Sequence, residues 1–307
     1  MTMSGIKALI VGKGSIGKRH GDVLAGLGLN VYFISRHDAS GSNTFASLPG
    51  AFEYDKFDYV VVANRTSEHI ASLLELERLG FKGKCLVEKP LFTTASDTGK
   101  FNYDLTVGYV LRFNPMLQRL REIISGQKIL SINAYCGQYL PEWRPNQDYR
   151  QCYSSSRVLG GGALRDLSHE LDYLQYIAGG WKRVVALGGK YSGLEIDSDD
   201  QYMILMESDS GAMSSCHINY LDRNIRRFCA VEYEGGSVIV DFIGATFTHN
   251  KIVEKFSFDR NDLFIAMHKA ILNSDSSIIC SYADGVRTVH LIDAIEESAK
   301  KGAWICC

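Results

Sequence analysis

The stretch "IKALIVGKGSIGKRHGDVLAGLG", Ile6 to Gly28, decides the fold. Its apolar start, which runs to Val11, has the pattern of a parallel strand that is buried on both faces. Gly12, Gly14 and Gly17 follow at once, and an amphipathic stretch comes after them. This order of strand, glycine turn and helix predicts a site where backbone N–H groups and a helix N-terminus hold the pyrophosphate of a dinucleotide.

The end of the second predicted strand, "NVYFIS", indicates which nicotinamide dinucleotide binds. A carboxylate at this point would hold a free ribose 2'-hydroxyl, but the sequence has Ser35 and Arg36. A hydroxyl beside a guanidinium suits a 2'-phosphate. We therefore expect NADP, with NAD as the alternative if the nearby Asp38 serves as the carboxylate.

Two further apolar runs, "FDYVVVAN" and "KCLVEKPL", flank the helical pattern "RTSEHIASLLELERLG". The alternation predicts a parallel sheet, and ligands of such sheets lie outside the carboxyl ends of the strands. Asn64 and Lys89 stand at such ends. An ammonium at Lys89 can stabilise a substrate oxygen, although a solvated lysine at a strand end explains the position equally well.

The expected cofactor contacts come from the glycine turn and from the strand ends. They are Gly12, Gly14, Ser15, Ile16, Gly17, Ser35, Arg36, Asn64, His69, Glu88 and Lys89.

The second part of the chain has a different pattern. From about Arg183 it contains short alternating runs, and "EGGS" is typical of a tight hairpin, so a largely antiparallel sheet is expected. The predicted fold class is α/β, with one domain over residues 1–110 and a second over residues 111–307.

The segment "GGGALRDLSHELD", Gly160 to Asp172, combines glycines with titratable side chains. A helix that begins just after the glycines places Asp166, His169, Glu170 and Tyr173 on one face beside an apolar stripe. A carboxylate next to an imidazole orients it and raises its pKa, as a general acid or base near neutral pH requires. The alternative is a surface helix whose polar side chains face water.

Composition excludes several classes of partner. The net charge is -2 and no basic block or zinc-finger spacing is present, so no nucleic-acid partner is expected. No apolar run approaches the roughly 18 residues of a membrane span, and the first residues lack a signal-peptide pattern. A cytoplasmic location and the absence of a bound metal are the resulting expectations.

Five ordered motifs carry a family resemblance: "GKGSIGKRH", "VANRTSEH", "VEKPL", "VGYVLRFNP" and "GGGALRDLSHELDYLQYIAG". From about Ile6 to the last helix, the chain resembles the glucose-fructose oxidoreductase, inositol dehydrogenase and rhizopine-catabolism (Gfo/Idh/MocA) family. The resemblance implies an N-terminal Rossmann domain that binds NAD(P). It also implies a C-terminal α/β domain with an open, mostly antiparallel sheet that covers the nicotinamide and often forms the contact between subunits, hence a homo-oligomer, either a dimer or a tetramer.

The resemblance also implies roles for individual residues. It places Lys89, Asp166 and His169 at the substrate, with Tyr109, Arg112 and Asn114 approaching it. Two departures stand out. Family members commonly have D-x-x-x-H, whereas the spacing from Asp166 to His169 is D-x-x-H, and the segment "FTTASDTGKFNYDL" is too short and polar for the helix that relatives have there.

The implied reaction is hydride transfer between a nicotinamide and a secondary alcohol or ketone of a sugar. His169 takes the hydroxyl proton, Asp166 orients His169, and Lys89 stabilises the alkoxide. Ahead of the glycines, the run that contains Trp143 and Tyr153 is similar to members of bacterial surface-glycan pathways, which favours a sugar nucleotide or an acidic sugar. A polyol such as an inositol, a nicotinamide-dependent glycosidase and a non-catalytic NADP(H)-binding regulator are the alternatives.

Overall fold

Two sheets, one in each of two compact units, organise the chain. The computed structural model describes residues 5–36, 41, 43–96, 98–144 and 146–307. One unit comprises Met1–Phe113 and Asp259–Val286, and the other comprises Asn114–Phe258 and Arg287–Cys307.

The described residues form sixteen strands, numbered along the chain: β1 Lys7–Val11, β2 Asn30–Ile34, β3 Thr44–Phe45, β4 Tyr59–Val62, β5 Lys84–Val87, β6 Asp104–Val107, β7 Ile129–Gly137, β8 Arg183–Gly189, β9 Gln201–Glu207, β10 Met213–Asn219, β11 Arg226–Tyr233, β12 Gly236–Asp241, β13 Thr246–His249, β14 Ile252–Lys255, β15 Cys280–Ser281 and β16 Ile305–Cys306. The α-helices are α1 Ser15–Gly26, α2 Leu48–Tyr54, α3 Thr66–Arg78, α4 Pro115–Ile124, α5 Ala163–Asp166, α6 His169–Ala178, α7 Arg260–Leu272 and α8 Tyr282–Lys301.

The sheet of the first unit has the strand order β15-β6-β5-β4-β1-β2-β3. Its strands are parallel except β15, which pairs antiparallel with β6. Leu9 and Ile10 in β1, and Val60 and Val61 in β4, are completely buried. The continuous apolar runs are therefore strands covered on both faces, which confirms the predicted parallel sheet.

The units do not divide the chain at a single boundary between residues 110 and 111. The returning segment Asp259–Val286 belongs to the first unit, because α7 buries its apolar face there. Phe264 of α7, for example, lies edge-on to the His20 ring of α1, with 5.4 Å between the ring centroids. The sequence pattern does not predict this contact, because α1 and α7 lie far apart along the chain.

One edge of this parallel sheet differs from an ordinary βαβ repeat. Between β5 and β6 the described residues, which omit Asp97, contain no helix, as the short polar segment predicts. The strand beyond β6 comes instead from β15, which pairs Cys280 with Val107.

The sheet of the second unit has the order β14-β13-β12-β11-β7-β10-β9-β8-β16. All neighbours are antiparallel except β7 and β10. Glu234 and Gly235 form the turn between β11 and β12, so the two-glycine hairpin is confirmed. Along β7, Ile132, Ala134 and Cys136 are buried, whereas Asn133 and Tyr135 between them are more accessible, as expected for a sheet with one covered face.

The glycine segment ahead of α5 is held by one carboxylate. Gly162 has φ +114°, and a Cβ there would lie 2.2 Å from Asp199 Oδ2. Asp199 Oδ1 accepts a hydrogen bond from the Leu164 N–H at 2.9 Å, and the Asp199 carbonyl accepts one from Ala163 at 3.1 Å. Asp199 thus occupies the N-terminus of α5, where a negative charge and a hydrogen-bond acceptor are both favourable.

The helix after the glycines is interrupted. It stops at Asp166 and resumes at His169, because Leu167 has φ -98° and ψ 23°. The predicted continuous helix is therefore wrong at this point, and Asp166 and His169 belong to different helices.

Among the described residues, no helix combines the length and apolar character that crossing a membrane requires.

We expect Asp199 to make stability depend on pH. Burial raises the pKa of Asp199 to about 6, whereas an unfolded-chain aspartate titrates near 4. The folded protein therefore binds the extra proton between these values, and this contribution to the free energy of unfolding declines as pH rises through about 6. Between pH 5 and 7.5 the decline is about 1 kcal/mol.

Asp199→Asn removes this titration and retains an oxygen that can accept from Leu164. Urea unfolding at the two pH values measures the effect, with Asp104→Asn, an exposed carboxylate at the start of β6, as the control. Identical pH profiles for wild type and Asp199→Asn would contradict the assignment.

Candidate dinucleotide site and catalytic residues

The glycine turn after β1 leaves no room for side chains at two of its three glycines. Gly12 has φ +106°, and a Cβ there would lie 2.8 Å from the Ala63 carbonyl oxygen at the end of β4. A Cβ at Gly17 would lie 2.0 Å from the Gly12 carbonyl oxygen. The fold itself requires these two glycines, because any side chain would push apart β1, α1 and β4.

Gly14 is different, because a Cβ there would meet no atom within 4 Å. Its φ of -73° suits any residue. The protein's own packing does not explain this glycine, whereas close approach of a ligand to the backbone does.

The N-terminus of α1 has the properties of an anion site. Gly14 provides no side-chain cap, and the first turn, which includes Ser15 and Ile16, contains no acidic residue. The first N–H groups of a helix lack intrahelical partners and carry a partial positive charge. This end of α1 fits a pyrophosphate, as the glycine spacing predicts.

Asn64, just after β4, has a side-chain oxygen that no described residue of the protein hydrogen-bonds. Its Nδ2 donates to Ser72 Oγ at 2.9 Å and to Glu68 Oε2 at 3.3 Å. Its Oδ1 is buried, and no donor from the described residues reaches it. A buried acceptor without a donor is costly, so this oxygen is able to accept a hydrogen bond from a molecule bound at the strand ends.

The end of β2 carries the residues that were expected to select the cofactor. The Ser35 N–H donates to the Phe45 carbonyl at 2.9 Å. The Arg36 side chain is 75% exposed, and its Nη1 lies 3.9 Å from Glu68 Oε1. Arg36 is therefore available at the strand end, while Asp38 lies outside the described residues.

His69 and Glu88 make internal contacts where the sequence predicted cofactor contacts. The His69 ring is buried, with its nitrogens 3.1 Å from the Leu91 carbonyl and 3.3 Å from the Asn64 carbonyl. Burial lowers the pKa of His69. Glu88 Oε1 lies 2.9 Å from His20 Nε2, and Oε2 accepts from the Lys89 N–H at 3.2 Å. Both side chains hold backbone near the strand ends.

Lys89 directly follows these contacts. The Glu88 N–H donates to the Val62 carbonyl at 2.8 Å, which aligns the ends of β4 and β5. The Lys89 side chain is partly accessible. The structure thus places Lys89 at the same edge of the sheet as Gly12 and Asn64, as the parallel topology predicts.

Three residues that the resemblance assigns to the substrate are buried. Tyr109 is 1% exposed and Arg112 is 4% exposed. The Arg112 guanidinium donates to the Ile279 carbonyl at 3.1 Å and to Asp284 at 3.3 Å. Asn114 Oδ1 accepts from the Met116 N–H at 2.9 Å and caps α4. Arg112 and Asn114 therefore have structural partners within their own units.

In the second unit, Asp166 is held by a tyrosine that the sequence analysis missed. Tyr220 Oη donates to Asp166 Oδ2 at 2.6 Å, and Tyr220 is completely buried. The Trp143 ring stands perpendicular to the Tyr220 ring at 5.1 Å, and its Nε1 donates to the Gln138 carbonyl at 3.1 Å. No local pattern marks Tyr220, because it lies 54 positions from Asp166.

Tyr153, the other aromatic residue expected at the substrate, reaches the glycines. Its hydroxyl donates to the Gly160 carbonyl at 2.6 Å. Trp143 and Tyr153 therefore support the segment that carries Asp166.

Glu170 excludes the interpretation of α6 as a solvated surface helix. Its carboxylate is completely buried and accepts two hydrogen bonds from Arg227, from Nε at 2.7 Å and from Nη2 at 2.9 Å. Such a buried, two-pronged pair is expensive to break. Tyr173, on the next turn, is also completely buried.

The accessibility of this segment is selective. Residues 160–175 are all described, and every one of them is buried except Asp166 and His169. The segment thus keeps a carboxylate and an imidazole partly accessible and encloses its other side chains.

No group of three or more His, Cys, Asp or Glu side chains within the described part of the chain is arranged to hold a metal ion.

Comparisons with known proteins agree with this architecture. Levoglucosan dehydrogenase of Pseudarthrobacter phenanthrenivorans is 22% identical over 326 residues, which cover 82% of this chain and 80% of that protein. The WlbA dehydrogenase from Bordetella pertussis, in complex with NADH and UDP-GlcNAcA, has a TM-score of 0.80, with 22% identity and 98% coverage of each chain. UDP-N-acetylglucosamine 3-dehydrogenase GnnA from Acidithiobacillus ferrooxidans has a TM-score of 0.79, with 18% identity, and covers 96% of this chain and 98% of that one.

The family match lies in the second unit. Residues 117–239 match the family model described as the GFO/IDH/MocA C-terminal domain. Together with the glycine turn and the parallel sheet of the first unit, this match confirms the resemblance carried by the five motifs. Over residues 117–239 the chain is therefore similar to the Gfo/Idh/MocA family.

Proposed function

We propose that the chain is a nicotinamide-dependent oxidoreductase that acts on a secondary alcohol or ketone of a sugar. The observation that carries this proposal is the selective accessibility of Asp166 and His169 in an otherwise buried segment. A solvated helix does not bury its other polar side chains, whereas an acid/base pair must remain within reach of a substrate. The relatives named above are dehydrogenases of sugars or sugar nucleotides.

The first unit has the features that a dinucleotide needs. The open position at Gly14, the uncapped end of α1 and the unsatisfied Asn64 Oδ1 all lie at the carboxyl ends of the strands. When bound, a nicotinamide supplies a hydride acceptor or donor. The protein's part is to bind the pyrophosphate at α1 and to offer Asn64 as an acceptor.

The remaining chemistry is proton transfer and charge stabilisation. During oxidation the substrate hydroxyl loses a proton, which we assign to His169, with Asp166 as its carboxylate partner. Tyr220 holds Asp166 at a fixed position through the bond of 2.6 Å. Lys89 supplies a positive charge for the developing alkoxide.

The substrate class that we favour is a sugar nucleotide or acidic sugar of bacterial surface-glycan biosynthesis. WlbA is described in complex with UDP-GlcNAcA, and GnnA is described as a UDP-N-acetylglucosamine dehydrogenase. A free sugar comes second, because the levoglucosan enzyme is also similar.

We further propose that the chain associates with copies of itself. Along β8, β9 and β10 one face of the sheet exposes large apolar side chains, which soluble monomers rarely group together. They are Leu187, Met203, Leu205 and Met213, each at least 54% exposed.

Substitution of the proposed catalytic residues tests the reaction. Lys89→Met, Asp166→Asn and His169→Asn should each lower kcat by about 10²- to 10⁴-fold, because each removes a charge or a proton acceptor. Affinity for NADH should stay within about threefold in Asp166→Asn and His169→Asn, since binding of the pyrophosphate does not depend on these two residues. The assay follows nicotinamide absorbance with sugar nucleotides, free sugars and inositols.

Lys82→Met and His290→Asn, which alter an exposed lysine and an exposed histidine, are the matched controls. Wild-type kcat in Lys89→Met and His169→Asn would overturn the assignment. Product formation without net absorbance change would identify the glycosidase alternative, and nucleotide binding without any turnover would identify the regulator.

The glycine turn provides a separate test of cofactor binding. Gly14→Ala adds a methyl group that meets no protein atom, so the melting temperature should stay near that of wild type while affinity for the dinucleotide falls at least about tenfold. Gly17→Ala forces a Cβ against the Gly12 carbonyl and should lower the free energy of unfolding by about 1–3 kcal/mol. Thermal unfolding and NADH fluorescence titration separate the two effects. Unchanged NADH and NADPH affinity in Gly14→Ala would rule out a pyrophosphate at this turn.

Arg36 tests the preference for NADP, which we propose although the WlbA complex contains NADH. Arg36→Ala should weaken NADP binding about tenfold, because it removes a charge-assisted contact to the 2'-phosphate. NAD affinity should remain unchanged, and Arg78→Ala, on the exposed side of α3, is the control. Tighter binding of NAD by wild type, with no effect of Arg36→Ala on NADP, contradicts the proposed preference.

A further inference from the structure

Four buried side chains form a continuous hydrogen-bonded chain inside the first unit. Tyr59 of β4 lies 2.8 Å from His268 Nδ1 of α7, and His268 Nε2 lies 2.9 Å from His20 Nδ1 of α1. His20 Nε2 lies 2.9 Å from Glu88 Oε1, just after β5. The two histidines and Tyr59 are completely solvent-inaccessible, and Glu88 is 9% exposed. These hydrogen bonds therefore link β4, α7, α1 and the residue after β5 within the interior of the first unit.

Each of these four side chains donates a hydrogen bond to the next in one direction, from Tyr59 through His268 and His20 to Glu88. Burial holds the pKa of His268 well below its usual range, so its ring is neutral and carries one N–H. Within the described residues, the Tyr59 hydroxyl has His268 Nδ1 as its hydrogen-bond partner. Because a buried hydroxyl needs an acceptor for its proton, Tyr59 donates to His268 Nδ1. The His268 proton is then on Nε2 and is donated to His20 Nδ1.

The same reasoning applies to His20. With Nδ1 accepting from His268, the His20 proton is on Nε2, and it is donated to the Glu88 carboxylate. In the reverse direction the Tyr59 hydroxyl would be a buried donor with no acceptor among the described contacts. Hydrogen bonds in such chains polarise one another, so the direction is a property of the whole set.

The last member of the chain holds the backbone of Lys89. Glu88 Oε2 accepts from the Lys89 N–H at 3.2 Å, while a Cβ at Gly108 would lie 2.9 Å from Glu88 Oε1. Burial alone raises the pKa of Glu88, but the hydrogen bond and the electrostatic interaction with His20, followed by those with Lys89, outweigh it and leave the pKa below its ordinary value. The carboxylate is therefore ionised and enclosed.

Among the described residues, further titratable groups lie near these four side chains, and His69 and Lys89 interact electrostatically with Glu88. The Arg19 guanidinium lies over the Phe264 ring at 5.5 Å, and that ring contacts His20. The Cys85 thiol lies near Tyr59, and burial raises its pKa far above the usual range. Cys85 is consequently a neutral neighbour.

We propose that His20 and His268 are positioning residues, which act through Glu88 to set the backbone position of Lys89. The direction of the hydrogen bonds stands on the structure alone. Only the consequence for turnover rests on the proposed function, because that function makes Lys89 catalytic.

Nitrogen-15 NMR of wild-type protein labelled at histidine tests the direction without any substrate. Between pH 5.5 and 8.5 we expect His268 to show a neutral ring protonated at Nε2, with its signals assigned from His268→Gln. A His268 ring protonated at Nδ1, or at both nitrogens, overturns the proposed direction.

Kinetics tests the positioning role. His20→Leu removes the donor to Glu88 and should lower kcat at least about tenfold, with NADH affinity within about threefold of wild type. His20→Gln retains an N–H donor that can reach Glu88 and should keep kcat within about threefold of wild type. Rescue by the conservative variant is a result that a merely structural role does not produce.

Tyr103→Phe is the matched control. It also removes a buried hydrogen bond from this unit, in this case to the Leu73 carbonyl at 2.9 Å, and should lower the melting temperature without changing kcat. If His20→Leu behaves in the same way, positioning through Glu88 is overturned and the proposed function stands. If wild type turns over no substrate, the proposed function fails, and the NMR result still decides the hydrogen-bond direction.

Discussion

The contact between backbone atoms at Gly12, Gly17 and Ala63 is the constraint on which the first unit depends. Side chains at the two glycines would lie within 3 Å of carbonyl oxygens, so strand, helix and neighbouring strand meet only because these Cβ atoms are absent. This close approach brings the N-terminus of α1 to the edge of the sheet where Asn64 and Lys89 stand. The close packing at these glycines thus places the N-terminus of α1, the buried acceptor of Asn64 and the ammonium of Lys89 at the same edge of the parallel sheet.

In the second unit, contacts from buried side chains order the segment that carries Asp166 and His169, whereas close approach of backbone atoms orders the first unit. Asp199 fills the space beside Gly162, Tyr220 holds Asp166, and Glu170 is paired with Arg227. These contacts order a segment that its own glycines would leave loose, since glycine has the largest conformational entropy to lose on folding. The interruption at Leu167 separates Asp166 from His169 along the chain, and both remain partly accessible.

Several predicted site residues have structural partners, and the reason is the same in each case. His69, Glu88, Arg112 and Asn114 carry groups that could bind a ligand, but each is buried and its polar atoms contact carbonyls, N–H groups or charged side chains of the protein. A buried polar group is costly unless it is hydrogen-bonded. The type and spacing of a polar residue in the sequence do not reveal whether its partner is a ligand or another group of the protein.

By itself, the sequence determined the features that arise from contacts between near neighbours. The strand, glycine turn and helix at the start, the hairpin at Glu234 and Gly235, and the parallel alternation all follow from local pattern, because period and turn chemistry act over a few residues. Only the tertiary structure decided that residues 259–286 join the first unit, that Tyr220 holds Asp166, and that His20 meets His268 across 248 positions. Such pairs form when buried polar groups must find partners, and sequence distance does not limit where in the fold a partner lies.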